Sequence, residues 1–280
     1  MDRNTGPLPP EDYVEPRCVL CGTPYGAEPP ARSVPRQRII EKMDEYMARR
    51  DYAGAERHLL YWLSEAKLGR DKRGELMLCN ELVGHYRKTG EKEKSLARGA
   101  EALALLDELD YGGSITAGTT YVNVATACSA FGEQARALEL FERARDVYEA
   151  SGQTPPEKLG GLYNNMALAC TALGSFTEAH ALYDRAMDCM ARVPGGALEQ
   201  AITCLNRADA VAAELGEEQG EAHIADLLDE AWALLHAPDV PRNGYCAFVY
   251  EKCAPSFGYY GRFADAAELK KEAEELYEGP

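Results

Sequence analysis

The most compact chemical motif of the chain is Cys18-Val19-Leu20-Cys21-Gly22, a C-x2-C-G turn that aims two thiolates at one point and supplies half of a tetrahedral zinc site. No second C-x2-C and no nearby histidine pair supplies the other two ligands. Cys18 and Cys21 therefore read as a half-site, a redox-sensitive pair or two ordinary thiols, and no metal or other cofactor is expected. A complete site would need Cys246 with Cys253, or the tail of a second copy. The five histidines, His58, His85, His180, His223 and His236, stand singly. Carboxylate pairs such as Glu217-Glu218 and Glu274-Glu275 have the right type for acid–base work, but among 46 Asp plus Glu they are expected as solvated faces. No Gly-rich phosphate loop, H-E-x-x-H or nucleophile elbow occurs. A non-catalytic protein is expected.

The remaining chemistry is carboxamide chemistry, and it depends on the elements that carry it. Over 280 residues, alanine and leucine number 42 and 30 against 11 valines and 5 isoleucines, an imbalance that favours helices over pleated strands. The fold class is all-α. Eight of the fifteen prolines fall within residues 1–35, where missing donors and fixed φ exclude regular structure. That stretch reads as an extended tail, and residues 36–280 as the helical domain. Thirty Lys plus Arg against 46 acids give a net charge of −16, which repels nucleic acid and anionic lipid. Neither a membrane span nor a signal peptide is legible, and nine scattered cysteines suit a reducing compartment. The expected location is the cytoplasm.

The helical part repeats itself. Gly90, Gly132, Gly174 and Gly216 stand 42 residues apart and Gly261 follows after 45, each between two amphipathic stretches. Upstream, Cys79-Leu82-Val83-Tyr86, Tyr121-Val124-Ala125-Cys128, Tyr163-Met166-Ala167-Cys170 and Tyr250-Cys253-Ala254-Phe257 keep one buried helix face in register. Downstream, Leu96-Gly99-Ala102, Ala137-Phe141-Ala144, Ala179-Tyr183-Ala186 and Ala266-Lys270-Ala273 place small residues where helices approach closely. A first copy runs from Ile39-Met43-Tyr46 to Ala55-Leu59-Trp62. The fifth is read as Leu205-Asp209-Ala212, then Ala222 to Ala231, with an insertion at Glu217 to Gly220. Six helical hairpins result.

On these segments, above all Tyr163-Asn164-Asn165-Met166-Ala167 through Leu173-Gly174-Ser175-Phe176-Thr177-Glu178-Ala179, the chain resembles the tetratricopeptide repeat family. Its period is close to the 42-residue type of kinesin light chains. The resemblance spans about Arg36 to Tyr277 and departs from the pattern at Lys270, at Pro255 and around Glu217. It implies a right-handed superhelical solenoid of about six hairpins, whose first helices line the inner wall. Lys270 and the acidic run after it suit a capping end.

On that wall the spacing places Asn80, Glu81, Arg87 and Lys88, then Val122, Asn123 and Thr126, then Asn164, Asn165 and Thr171, then Asn206 and Arg207, and finally Lys252. Asparagine has mediocre helix propensity, so its recurrence near one turn needs a compensating use. The family resemblance implies that such asparagines grip the main chain of an extended guest, with Asn123 and Asn165 the best matches. They can equally bond helix carbonyls or the next repeat, or face water. Arg87, Lys88, Arg207 and Lys252 point to a locally positive groove and an acidic guest or a C-terminal carboxylate, although Arg87 and Lys88 also suit a helix C-terminus. Peptide-binding candidates are thus Asn80, Asn123, Thr126, Asn164, Asn165, Arg207 and Lys252. The function expected is protein–protein interaction through the groove. The alternative is homo-oligomerisation through terminal faces, with the groove unused or filled by the tail.

Overall fold

Alternating helical faces and glycine turns fold into paired helices along the whole described chain. The computed structural model describes residues 32–278, so Cys18, Cys21 and most of the proline-rich tail lie outside the described residues. Among the described residues there are twelve α-helices and no strand. They form six consecutive hairpins: α1 (Arg36–Ala48) with α2 (Tyr52–Leu68), α3 (Lys72–Thr89) with α4 (Lys92–Glu108), and α5 (Ile115–Ala130) with α6 (Gln134–Ser151). Then come α7 (Pro156–Ala172) with α8 (Phe176–Met190), α9 (Ala197–Leu215) with α10 (Glu217–Leu235), and α11 (Gly244–Tyr259) with α12 (Phe263–Glu278).

The turns explain the glycine period. Gly90, Gly132, Gly174 and Gly261 have φ between +77° and +81°, a left-handed conformation that glycine adopts without a Cβ clash. In the first hairpin Arg50 takes the same conformation at φ +55°, which is why that copy is the hardest to see in sequence. Asp51 and Asp71 cap α2 and α3 by accepting from the N–H groups of Gly54 and Gly74. Asp71 also accepts from the Val34 N–H at 2.9 Å, and Arg36 lies 3.2 Å from it. The chain just before α1 is thereby fastened to the second hairpin.

Packing follows the 42-residue register through the third and fourth hairpins. Cys79, Tyr121 and Tyr163 are buried at one equivalent place, and Phe141 and Tyr183 fill the space between consecutive hairpins. The fifth hairpin departs from the reading given above. Its buried face is Cys204, Ala208 and Val211, while Asp209 is exposed. Thus α9 sits one residue short of the period. No insertion loop exists: Glu217 to Gly220 is the first turn of α10, and Gly216 alone joins the two helices. In the sixth, Leu269 is buried between Ala266 and Ala273 and Lys270 faces water. Pro255 is exposed inside α11, which continues to Tyr259.

Candidate binding groove

The curvature of the stack defines its inner wall. First helices of consecutive hairpins pack on one another, α3 on α5, α5 on α7, α7 on α9 and α9 on α11, whereas second helices have no comparable mutual packing. A stack close on one side and splayed on the other bends toward the close side, so the first helices line the concave face.

Four of the asparagines on that face are tied to one another. Asn123 Nδ2 donates to Asn80 Oδ1 at 3.1 Å, from α5 to α3, and Asn80 Nδ2 donates to Thr120 Oγ1 and the Leu76 carbonyl, each at 3.0 Å. Two hairpins on, Asn206 Nδ2 donates to Asn164 Oδ1 at 3.1 Å, from α9 to α7. With the shortened register of α9, Asn206 stands where Asn123 and Asn165 stand, so these two bridges are the same bridge repeated. The bridge between α5 and α7 is missing. Where Asn80 and Asn164 offer an acceptor, α5 has Val122, and the half-buried Asn165 carboxamide has no hydrogen-bond partner among the described residues. Thr126 Oγ1 donates to the Val122 carbonyl at 2.7 Å and Thr171 Oγ1 to that of Ala167 at 2.9 Å; both hydroxyls retain accepting capacity.

The cations are placed differently from the sequence expectation. Arg207 occupies the place of Met166 and turns toward the second helices α8 and α10, where it pairs with Asp184 at 2.7 Å beside Cys204, Leu227 and Glu230. The one-residue shift of α9 moves it off the inner wall. Arg87 and Lys88 are exposed in the last turn of α3, with Lys88 Nζ 5.6 Å from the centre of the Tyr52 ring. Lys252 stands with Phe248, Glu251, Lys270 and Glu274 around an open hollow of about 540 Å³ at the sixth hairpin. Among the described residues these four cations therefore form no continuous positive groove. Glu81, on the wall beside Asn80, has its carboxyl pKa raised by burial and by the like charge of Asp44.

Two hollows open on the inner wall near the N-terminal ends of the first helices. One of about 430 Å³ lies between α3 and α5 and is lined by Asn80, Glu81, Thr119 and Asn123, with Arg73 and Tyr111 at its rim. The other, about 440 Å³, is shared by α7, α9 and α11 and includes Glu157, Gly161, Met190, Glu199, Pro241 and Tyr245. Sequence reasoning missed the second hollow, because half of its lining comes from the segments entering α9 and α11. Its one sequence signal was the helix-interior pair Gly160-Gly161.

Comparison with known proteins agrees with this geometry. The tetratricopeptide repeat family model matches residues 75–150, which run from α3 to α6. The fold is a tetratricopeptide-repeat solenoid. Among solved structures, the nearly identical TPR-like repeats ascribed to a kinesin light chain of Podosopora anserina align at a TM-score of 0.51 and 16% identity. That alignment covers 72% of this chain and 95% of that one. BtubC (BKLC) from P. vanneervenii aligns at a TM-score of 0.51 and 17% identity, over 88% of this chain and 92% of its own. No curated protein matches the chain in sequence. Tetratricopeptide-repeat proteins generally mediate protein–protein interaction or assembly. No helix among the described residues is long and apolar enough to cross a membrane.

Proposed function

We propose that this solenoid is a non-catalytic interaction module that holds an extended segment of a partner protein along its inner wall. The observation that carries the reading is Asn165. Its carboxamide stands on the central wall helix, in a row where Asn80, Asn123, Asn164 and Asn206 are all bridged, and it alone in that row keeps every donor and acceptor for a passing main chain. Thr126, and at the ends of the wall Asn80 and Lys252, are secondary contacts. The acidic guest expected from Arg207 loses its support, because that guanidinium is engaged by Asp184 away from the wall. Each net hydrogen bond contributes roughly 0.5–1.5 kcal/mol, so a few amide contacts with one side-chain anchor amount to about micromolar affinity. Such affinity suits reversible recruitment.

The test is a selection of dodecapeptides from a random-sequence display library against the full chain, followed by titration of the recovered peptides. Asn165→Ala should weaken binding about tenfold with thermal stability unchanged, and unchanged affinity in that variant removes the grip. A self-assembly reading is favoured by one feature. The exposed face of the sixth hairpin carries half-exposed Phe248 and Tyr277 with two lysines and two glutamates, Lys252, Lys270, Glu251 and Glu274, a balance of charge that can pair with its own copy. Light scattering that finds one mass at all concentrations rejects it.

A further inference from the structure

Helix-interior glycines cost stability and usually have a packing reason. Gly118 and Gly160 have one: a Cβ on Gly118 would meet the Tyr148 ring at 2.2 Å, and a Cβ on Gly160 would meet Met190 at 2.9 Å. Gly161 has none, since a Cβ there would meet nothing within 4 Å. It stands on the inner wall of α7, one helical turn before the unpaired Asn165, and it forms part of the hollow shared with α9 and α11. Bare backbone followed by a free carboxamide is what a close main-chain approach requires.

The hollow itself is selective in chemistry. Met190, Val193, Leu198 and Pro241 give it an apolar floor, and its charged members are both carboxylates, Glu157 and Glu199. Neither forms an ion pair among the described residues; Glu199 accepts a hydrogen bond from the Tyr245 hydroxyl. The nearby Lys158 reaches away, to Thr119 of α5 at 3.3 Å. An aliphatic stem ending in a cation satisfies both the floor and the rim.

We propose that the hollow between α7, α9 and α11 is a pocket for a lysine or arginine side chain of the bound segment, whose main chain crosses α7 over Gly161. The assignment rests on the groove reading above and adds the guest's charge and its crossing point. Electrostatic complementarity of this kind sets specificity more than raw affinity.

The experiment uses the full chain and a fluorescein-labelled dodecapeptide recovered from the random-sequence library. Recovered peptides should share one basic position, and replacing that residue by leucine should weaken binding about tenfold. Glu157→Gln with Glu199→Gln should weaken the basic peptide by the same factor, leave the leucine peptide unchanged, and remove most of the salt dependence between 50 and 500 mM sodium chloride, concentrations chosen to span roughly the Debye lengths that separate screened from unscreened pairs. Gly161→Ala should raise Tm by about 2–4 °C and yet weaken the peptide about tenfold. A glycine of purely structural use does not give that pair of results. If peptides bind without a basic preference, or if the glutamine pair binds them unchanged, the pocket assignment is overturned while the groove reading stands. If no library peptide binds, both fall.

Discussion

Hairpins one to four and hairpins five and six are built on the same plan with different strictness. The first four share an apolar core from Val34 to Cys189, which Ala210 of α9 also joins, whereas the last two bury a second one from Leu198 to Ala273. Up to α9, each second helix packs on the first helix that follows it, but α10 and α11 do not pack in this way, and α11 rests on α9 and α12. Strict spacing and continuous packing go together through the fourth hairpin, where a large side chain such as Phe141 is buried against a hairpin that arrives in register. Where α9 slips by one residue, most of its apolar face starts the second core and only Ala210 joins the first. The slip also moves Arg207 off the wall, and the carboxylate-rimmed hollow forms across the same border.

The comparison breaks most visibly at one repeated position. Phe141 and Tyr183 are almost fully buried between hairpins, while the equivalent Lys270 faces water. Phe141→Ala should cost about 3–5 kcal/mol, the transfer and cavity terms of a large core aromatic, and Lys270→Ala should stay within about 0.5 kcal/mol. Urea denaturation of the two variants measures both. Similar losses in each would mean that the sixth hairpin is covered as the others are.

A smaller effect is expected where the first hairpin meets the second. Burial raises the pKa of the Asp71 carboxyl, but the N–H groups of Gly74 and Val34, helped by Arg36, outweigh it and hold it below the usual carboxylate range. A carboxyl depressed in the fold contributes stability above its unfolded pKa, about 3.9, and loses that contribution as pH falls through the folded value. Asp71→Asn should therefore cost about 2 kcal/mol near pH 7 and progressively less below about pH 4. Melting curves across pH 3–7 should converge at the acid end, roughly as that linkage requires. Curves that stay parallel would assign the loss to packing.

Much of this fold is legible in sequence because both of its signals are periodic. The glycine at each left-handed turn and the apolar face before it recur often enough that one blurred copy, with Arg50 for glycine, is carried by the rest. The site is less legible, for a physical reason. A one-residue shift leaves the apolar pattern of α9 nearly intact, since Leu205 is buried as well as Cys204, yet it exchanges which polar neighbour faces the groove. By that shift alone Asn206 takes the place of Asn165 that the period gives to Arg207, and Arg207 moves on to the place of Met166. The pairing of Asn123 with Asn80 is equally hidden, because a carboxamide's partner depends on the facing helix and not on its own surroundings in the chain.

The asparagine row gives the finest comparison. Asn206→Ala removes the bridge from α9 to α7, which ties the second core to the first, and leaves Asn164 without its donor. A loss of about 1 kcal/mol is expected, together with faster amide hydrogen exchange in residues 197–278 than in 36–190. Asn123→Ala removes the same bridge inside the first core, where Phe141 and its neighbours hold the hairpins together regardless. It should cost a similar amount without dividing the exchange pattern. Asn165→Ala removes a side chain with no partner and should leave stability and exchange alone while weakening peptide binding. Those three alanines separate a tie between cores, a tie within one core and an unoccupied grip, although all three begin from the same residue type at the same turn. Should Asn206→Ala leave the exchange pattern uniform, the border between the cores lies in the apolar packing alone and the bridge is incidental to it.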